Sequence, residues 1–249
     1  MKNFFRHALL AAGIAALAQL AGPAHAQSTL NEAQKKEVRA LVRQYILENP
    51  EIISEAVALL QEKEEKAKAS RVVAAINSNK AALLNPPEGT VLGNPKGDVT
   101  LVEFFDYNCG YCKQVFPTLM ETVKEDGKVK LVVKEFPILG NPSVVASRAA
   151  LAARKQNKYG EFHTAMLSHR GSLNEETIMK IAADVKIDVK RLQADMKAPE
   201  INEILQKNHQ LAQALGIEGT PAIVIGEALV PGALQKDHLK ELIAEARKK

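Results

Sequence analysis

The spacing of apolar positions divides the chain into an N-terminal helical region, a small α/β unit and a long helical block. In residues 28–60, apolar side chains recur every three or four positions, and Asn49-Pro50 separates two such runs, which predicts two amphipathic helices. The apolar stripes comprise Val38, Leu41, Val42, Tyr45 and Ile46, then Ile52, Ile53, Ala56, Val57, Leu59 and Leu60. Residues 61–71 are rich in Glu, Lys and Ala, which predicts a solvated helical spacer that continues to Leu84.

Two short amphipathic helices beyond a polar spacer cannot cover their own apolar stripes. The stripes either pack against those of other copies of the chain or fold back onto the main domain. Because the polar spacer makes a poor docking segment, self-association is favoured. We therefore expect a helical oligomerisation region at 27–60 and a helical linker at 61–84.

A βαβ unit is predicted near the middle of the chain. Val99–Phe105 is a run of β-branched and aromatic residues typical of a buried strand, and Val129–Lys134 predicts a second strand. Between them, Lys113–Lys124 carries apolar residues at helical spacing, and Pro117 is expected to kink this helix without ending it. Thr90–Leu92 predicts a short edge strand ahead of the unit.

A helical block then interrupts the sheet, so the predicted class is α/β with a helical insertion at about 142–214. Helices are predicted at 144–155, 159–167, 174–185, 189–196 and 201–214, with a closing helix at 234–247. Strand character returns at 221–225 and 228–230. The first of these strands opens on Thr220-Pro221, and since most X–Pro bonds are trans, the residues alone give little support for a cis bond.

Cys109 and Cys112 are the only cysteines in the sequence, and they stand at the start of the predicted helix. A helix N-terminus stabilises the thiolate of the first cysteine through unpaired N–H groups and the helix dipole. Such a thiolate attacks a disulfide of another protein, and the second cysteine then resolves the mixed disulfide. In a βαβ unit, a Cys-x-x-Cys pair therefore indicates redox activity.

Three other roles of a Cys-x-x-Cys pair fit the sequence less well. Zinc needs four ligands, and although His163 and His169 could complete the set, their six-residue spacing fits neither one helix face nor a known ligand pattern; no metal site is predicted. Covalent haem attachment needs His where Lys113 stands. A purely structural disulfide across so short a loop would constrain the unfolded chain little.

Glu103 is a carboxylate inside the predicted strand, on the same face as Leu101 and Phe105. We expect it to be at least partly buried, with a raised pKa, and able to exchange a proton with the second thiol. An acid that reaches water at the strand end is the alternative. No chemical role is predicted for the other titratable candidates. Asp106 is expected to stabilise a turn, and His163, His209 and His238 are expected to lie on helix surfaces.

Residues 1–26 have the features of a cleaved secretory signal peptide: Lys2 and Arg6, an apolar run too short for a bilayer span, and Ala24-His25-Ala26 as the cleavage pattern. We expect cleavage before Gln27 and an oxidising compartment such as a bacterial periplasm; a retained membrane anchor is the alternative. Loss of this segment lowers the formal net charge from +4 to +2. Nucleic acid is not an expected partner, because the sequence has no basic stripe.

Three segments resemble the DsbA-like branch of the thioredoxin superfamily: FFDYNCGYCK at 104–113, EFPILG at 135–140, and Gly219-Thr220-Pro221. With its N-terminal helical extension, the chain is most similar to the suppressor-of-copper-sensitivity C and Com1-type periplasmic proteins. The similarity is strong over residues 85–249 and rests on pattern alone over 28–84. It implies a DsbA-like thioredoxin domain at 85–249 that contains the helical insertion.

The resemblance implies a role for each thiol and for the acid of the first strand. Cys109 would be the exposed nucleophile and Cys112 the resolving thiol. Glu103 matches the buried acid that the family places six residues before the first cysteine.

The resemblance also implies a substrate-binding surface. Thr220-Pro221 would form a cis-proline loop that faces the thiols and binds substrate backbone, and Gly110 and Tyr111 would belong to the same surface. Thr before the proline is similar to the isomerase branch, whereas Gly-Tyr between the cysteines departs from the Pro-His of strong oxidases.

These features predict a periplasmic thiol:disulfide interchange enzyme, favoured as a disulfide isomerase that acts on misfolded exported proteins. No cofactor is expected. The expected partners are client proteins, a membrane redox partner and further copies of the chain, with three subunits favoured and two as the alternative. Two other functions stay open: a monomeric DsbA-like dithiol oxidase, and a protein of copper tolerance that binds Cu(I) through Cys109 and Cys112.

Overall fold

The computed structural model describes residues 30–248, which fall into two units divided between Leu60 and Gln61. The predicted signal peptide at 1–26 and its cleavage site before Gln27 lie outside the described residues. No helix within residues 30–248 combines the length and the apolar character needed to cross a membrane.

The N-terminal unit is built from helices whose apolar side chains remain exposed. Helix α1 (Glu32–Glu48) begins with a capping box in which Asn31 and Gln34 each accept the other's backbone N–H, and none of its residues is buried. Helix α2 (Glu51–Ser78) begins after Asn49-Pro50, as predicted. The exposed large apolar side chains of this unit are Leu30, Val38, Leu41, Val42, Tyr45, Leu47, Ile53, Val57, Leu59 and Leu60.

A mixed five-stranded sheet forms the centre of the second unit. Its strands are β1 (Val91–Gly93), β2 (Val99–Phe105), β3 (Val129–Glu135), β4 (Ala222–Ile225) and β5 (Ala228–Pro231). They lie in the order β1-β3-β2-β4-β5, with β2 and β3 parallel and the other neighbours antiparallel. The central strand β2 is buried apart from Thr100, which agrees with its continuous apolar sequence.

Helices cover both faces of this sheet. They are α3 (Lys80–Leu84), α4 (Gly110–Asp126), α5 (Asn141–Ala153), α6 (Tyr159–Ser168), α7 (Glu175–Asp184), α8 (Val189–Asp195), α9 (Pro199–Ala214) and α10 (Lys236–Arg247). Helix α4 continues through Pro117 and ends at Gly127, whose φ of +69° suits glycine. The predicted helices from residue 144 onward are confirmed to within three residues at each end.

One predicted helix is interrupted. The continuous helix expected up to Leu84 is wrong at Asn79, where α2 stops and α3 begins one residue later. The Asn79 backbone is not helical, with φ −108° and ψ 13°, and its side-chain amide and its own N–H both donate to the Ala75 carbonyl, at 2.8 and 3.0 Å.

The core of the second unit lies in two layers, one on each face of the sheet. Leu101 and Phe105 of β2 pack with α4, α10 and the helical insertion α5–α8, whereas Val102 and Phe104 pack with α2, α3 and the end of α9. The α/β class with a helical insertion between β3 and β4 is confirmed.

Candidate active site

The cysteine pair lies where the central strand passes into a helix. Strand β2 ends at Phe105, a short turn follows, and Cys109 is the N-cap residue of α4. Its sulfur accepts the backbone N–H of Cys112 at 3.3 Å. The prediction that a helix begins between the two thiols is therefore confirmed, and the first thiol occupies the end of the helix that stabilises an anion.

Asp106 fixes the turn that leads to the thiols. One carboxylate oxygen accepts the backbone N–H of Asn108 at 2.7 Å, and the other accepts those of Ile138 and Leu139 at 2.9 and 3.0 Å. Its assignment to the turn is confirmed. The sequence did not indicate that the same carboxylate also holds the segment after β3.

Strand pairing brings the Thr220-Pro221 segment to the thiols. Because β4 runs antiparallel to β2, with Ala222 opposite Phe104, the residues just before β4 lie beside the end of β2. The Thr220–Pro221 peptide bond is cis, and the Cys109 sulfur lies 3.3 Å from the Thr220 carbonyl oxygen. The segment that follows α9 therefore forms one wall of the site.

The two thiols have opposite acidities. The pKa of Cys109 is lowered from 9.0 to about 5, mainly by a hydrogen bond from the Cys112 thiol; Thr220 and the N–H groups of Cys112 and Tyr111 add to this, and desolvation opposes it. The same bond and then burial raise the pKa of Cys112 far above its usual range. At neutral pH, Cys109 is therefore a thiolate and Cys112 its protonated partner.

The expectation that Cys109 is exposed is wrong. The residue is only 6% exposed, because it packs between the start of α4 and the Thr220 carbonyl, and Cys112 is fully buried. Of the two residues between them, Gly110 is exposed and Tyr111 is 66% exposed. Tyr111 is therefore the exposed side chain of the Cys-Gly-Tyr-Cys segment.

Glu103 is buried in the middle of the sheet. It is 1% exposed, lies opposite Val133 of β3 and Ile223 of β4, and neither of its carboxyl oxygens has a hydrogen-bond partner among the described residues. Burial, followed by the negative charge of Cys109, raises its pKa from 4.5 to about 8. The alternative of an acid that reaches water is thus wrong, and the Glu103 charge in turn raises the pKa of Cys112.

A groove of about 980 Å³ lies next to the cis peptide bond, between α2, the end of α9 and β5. Most of its lining surface is apolar, and the apolar residues include Ala69, Val72, Leu215, Ile217, Pro221 and Leu229. The groove continues the site away from the thiols.

The structure contains a second set of buried polar groups that the sequence analysis did not predict. Glu135 accepts the hydroxyl of Tyr159 at 2.8 Å and that of Tyr107 at 3.2 Å, and the Tyr107 oxygen lies 2.9 Å from His163 Nδ1. Burial raises the pKa of Glu135 to about 8. Extension of the predicted strand by one residue would have placed Glu135 on the buried face with Val133.

The expectation that His163 lies on a helix surface is wrong, while His209 and His238 are exposed as predicted. The His163 ring is fully buried among Phe105, Tyr107, Phe116 and Tyr159, and burial lowers its pKa to about 3. The sequence held one sign of this burial: His163 lies four residues after Tyr159, which places both on the same face of a helix. Within residues 30–248, no three His, Cys, Asp or Glu side chains group in a way that could hold a metal ion.

Comparisons with known proteins agree with this geometry. The family model described as DSBA-like thioredoxin domain matches residues 100–244, and that of the copper resistance protein ScsC N-terminal domain matches residues 34–67. The probable disulfide bond formation protein D of Bacillus anthracis is 30% identical over 171 residues, which cover 64% of this chain and 78% of that protein.

Two solved structures are similar over most of their length. A thioredoxin-like oxidoreductase from Silicibacter pomeroyi is 47% identical with a TM-score of 0.67, and the match covers 69% of this chain and 99% of that one. Proteus mirabilis ScsC in a transitional conformation is 32% identical with a TM-score of 0.64, covering 89% and 98%. The thioredoxin-like fold and the family resemblance inferred from the sequence are thereby confirmed. The chain belongs to the DsbA-like thioredoxin family and carries, ahead of that domain, a region of the ScsC N-terminal type.

Proposed function

We propose that this chain is an exported disulfide isomerase that works in a self-associated form. Membership of the DsbA-like family assigns it thiol:disulfide oxidoreductase chemistry. The observation that carries the proposal is the Cys109 sulfur, which caps α4 beside a cis-proline segment and has a pKa of about 5. Such a sulfur is a stable thiolate at neutral pH, ready to attack a disulfide.

The reaction begins when the Cys109 thiolate attacks one sulfur of a client disulfide. A mixed disulfide forms, and the other client sulfur leaves as a thiolate. In isomerisation, a different client thiolate attacks the mixed disulfide, restores Cys109 and leaves the client with a new pairing and no net oxidation.

Cys112 provides the escape from a mixed disulfide that does not rearrange. The ionised form of Glu103 takes the Cys112 proton, the Cys112 sulfur attacks Cys109 Sγ, and the client is released as a dithiol while Cys109 and Cys112 are oxidised to a disulfide. A membrane redox partner in the periplasm would return that disulfide to the dithiol. Glu103 suits the role because it is buried, unpaired and near enough to Cys112 to shift its pKa.

Client binding is assigned to the surface around the cis peptide bond. The groove beside Pro221 offers apolar walls, and Tyr111 is an exposed aromatic side chain next to the nucleophile. An extended segment of a misfolded protein, with its apolar side chains uncovered, fits such a surface.

Self-association is assigned to residues 30–60. Ten large apolar side chains of this unit are exposed, and α1 has no buried residue, so a single copy leaves its apolar stripe in water. Stripes of three copies, or of two as the alternative, would cover one another. The assembly would hold several thiolates near one client, which raises their effective concentration.

The test compares two double variants of the full chain. Leu41→Glu with Tyr45→Glu places charges in the apolar stripe, and Ala40→Glu with Gln44→Glu places the same charges at the same spacing but about 100° around α1, off the stripe. We expect the first pair to dissociate the assembly and to reduce reactivation of scrambled ribonuclease A about tenfold or more, and the second pair to do neither. Equal isomerase activity in both variants would refute the proposal.

A dithiol oxidase is the second candidate, because a pKa of about 5 for Cys109 also stabilises the reduced form. Thiolate pKa values are about 7 in thioredoxin and about 3.5 in DsbA, so this thiol falls between a reductant and a strong oxidant. The potential measured against glutathione separates the two functions. A value near −120 mV without reactivation of scrambled ribonuclease would favour the oxidase, and one near −180 mV the isomerase.

Cu(I) binding by Cys109 and Cys112 is the third candidate. It is favoured by the soft character of two adjacent thiols and by the match to an N-terminal domain of a copper resistance protein. Titration of the dithiol with Cu(I) against a competing chelator tests it. Cys109→Ser should then lose copper binding together with disulfide exchange, and a variant that keeps copper binding would refute the two-thiol site.

A further inference from the structure

Residues 169–174, which connect α6 to α7, are termed the insertion loop below. We propose that Asn108 is a positioning residue that holds the insertion loop beside Cys109 as one wall of the client entrance. The helical insertion would thereby select which protein disulfides reach the thiolate. This inference rests on the proposed exchange function and names a determinant of its client selectivity.

The Asn108 side chain pairs with backbone of the insertion loop. Its Oδ1 accepts the Leu173 N–H at 2.7 Å, and its Nδ2 donates to the Leu173 carbonyl at 3.4 Å and to Ser143 Oγ at 3.3 Å. A side-chain amide carries both the donor and the acceptor that this pairing uses. Asn108, the residue directly before the nucleophile, is therefore bonded to the helical insertion at two places.

A second hydrogen bond holds the loop on the other side of the cysteine pair. Lys113, which directly follows Cys112, donates its Nζ to the Gly171 carbonyl. Gly171 has a φ of +98°, which lets the chain turn that carbonyl toward the lysine at low cost. The loop is thus attached to the residues that flank Cys-Gly-Tyr-Cys at both ends.

The base of the loop is buried and its rim is exposed. Leu173 is fully buried in the core, whereas Arg170, Gly171 and Ser172 are exposed. Asn108 is itself restrained, since its N–H donates to Asp106. A protein client that approaches Cys109 meets this rim, while a small disulfide needs only the few atoms around the sulfur.

If Asn108 had a purely structural role, its substitution would lower stability and slow the reactions with protein disulfides and with small disulfides by the same factor. If Asn108 positions the loop, its substitution would change the ratio of the two reaction rates. Asn94 provides a matched control, because its amide also spans two backbone groups, the Gly127 carbonyl and the Lys96 N–H, each at 2.9 Å. It belongs to the turn after β1, outside the site.

The experiment measures rate constants of the full reduced chain with scrambled ribonuclease A and with 5,5′-dithiobis(2-nitrobenzoate). In Asn108→Ala, we expect the ratio of the protein rate to the small-disulfide rate to fall about tenfold, mainly through KM, and in Asn94→Ala to stay within about twofold. An unchanged ratio in Asn108→Ala overturns the inference. Loss of the small-disulfide reaction in the unmodified chain would instead refute the proposed function.

Limited trypsin digestion reports the loop directly, because Arg170 lies on its exposed rim. Release of the loop should speed cleavage after Arg170 about tenfold in Asn108→Ala and leave it unchanged in Asn94→Ala. Unaltered cleavage would show that Asn108 does not hold the loop. If Asn108→Ala does not fold, Lys113→Met removes the other attachment of the loop and should change the rate ratio and the cleavage rate about threefold. The pH profile of Cys109 alkylation then shows whether loss of the lysine charge has altered the thiol itself.

Discussion

Exposed apolar side chains have very different distributions in the two units. Between residues 61 and 248, large apolar residues are at least partly covered except for Tyr111 and Leu139. Tyr111 lies between the cysteines, and the Leu139 N–H is bound by Asp106, just ahead of them. In residues 30–60, by contrast, exposed apolar side chains run along the helices.

This contrast is what the two proposed roles require. Apolar exposure in the second unit is confined to the surroundings of the thiols, as suits brief contact with clients. In the first unit it extends over an entire helix face, as suits lasting association with a like helix.

The largest effect is expected from Cys109→Ser. Disulfide exchange should fall at least about a thousandfold, because a serine hydroxyl cannot replace the thiolate as nucleophile. Self-association should be unchanged, since the substitution lies in the second unit. Stopped-flow exchange assays and sedimentation velocity measure the two properties, and a changed mass would contradict the separation of tasks.

Glu103→Gln should slow the attack of Cys112 on the mixed disulfide by about tenfold or more, because the proton acceptor is lost. The mixed disulfide should then accumulate, which acid quenching and mass spectrometry detect. Glu103→Asp should restore part of the rate. Equal lifetimes of the mixed disulfide in all three proteins would rule out a role for this carboxyl.

The same substitution should change the pH dependence of stability. The pKa of Glu103 is about 8 in the folded chain and near 4.5 when unfolded, so the folded state binds the proton more tightly. Stability is therefore lost as pH rises from 4.5 to 8. The free energy of unfolding of reduced Glu103→Gln should exceed that of the unmodified chain by a margin that grows over this range and then levels off, as urea titrations at several pH values would measure.

The smallest effect is expected from Tyr159→Phe. The substitution removes the hydroxyl that donates to buried Glu135 at 2.8 Å, and should cost about 1–3 kcal/mol of unfolding free energy. Tyr45→Phe is the matched control in the N-terminal unit, where the tyrosine is exposed, and should leave thermal unfolding of the second unit unchanged. Equal losses in the two variants would contradict the assigned burial.

Local pattern was sufficient for most elements of the fold. The strand at 99–105, the helix start at the thiols and the helices of the insertion follow from apolar spacing, because each buries one face in a nearby layer. The break at Asn79 was not predicted, because it consists of one residue with a non-helical backbone.

The site was less predictable where it depends on contacts between distant parts of the chain. Glu103 could be placed by alternation, but Asn108 binds a residue 65 positions away, which no local pattern records. His163 was assigned to a surface because its neighbours do not reveal that four aromatic rings surround it. The cis bond before Pro221 runs against the general preference of X–Pro bonds, and the residues alone gave no reason to expect it.

The most direct test of the central claim is isomerase activity per chain across a dilution series, with the assembly state measured by sedimentation at the same concentrations. If activity requires association through residues 30–60, reactivation of scrambled ribonuclease per chain should fall as the assembly dissociates, while reduction of a small disulfide per chain stays constant. Constant reactivation per chain through the dissociation range would contradict the account and leave the N-terminal helices with another task.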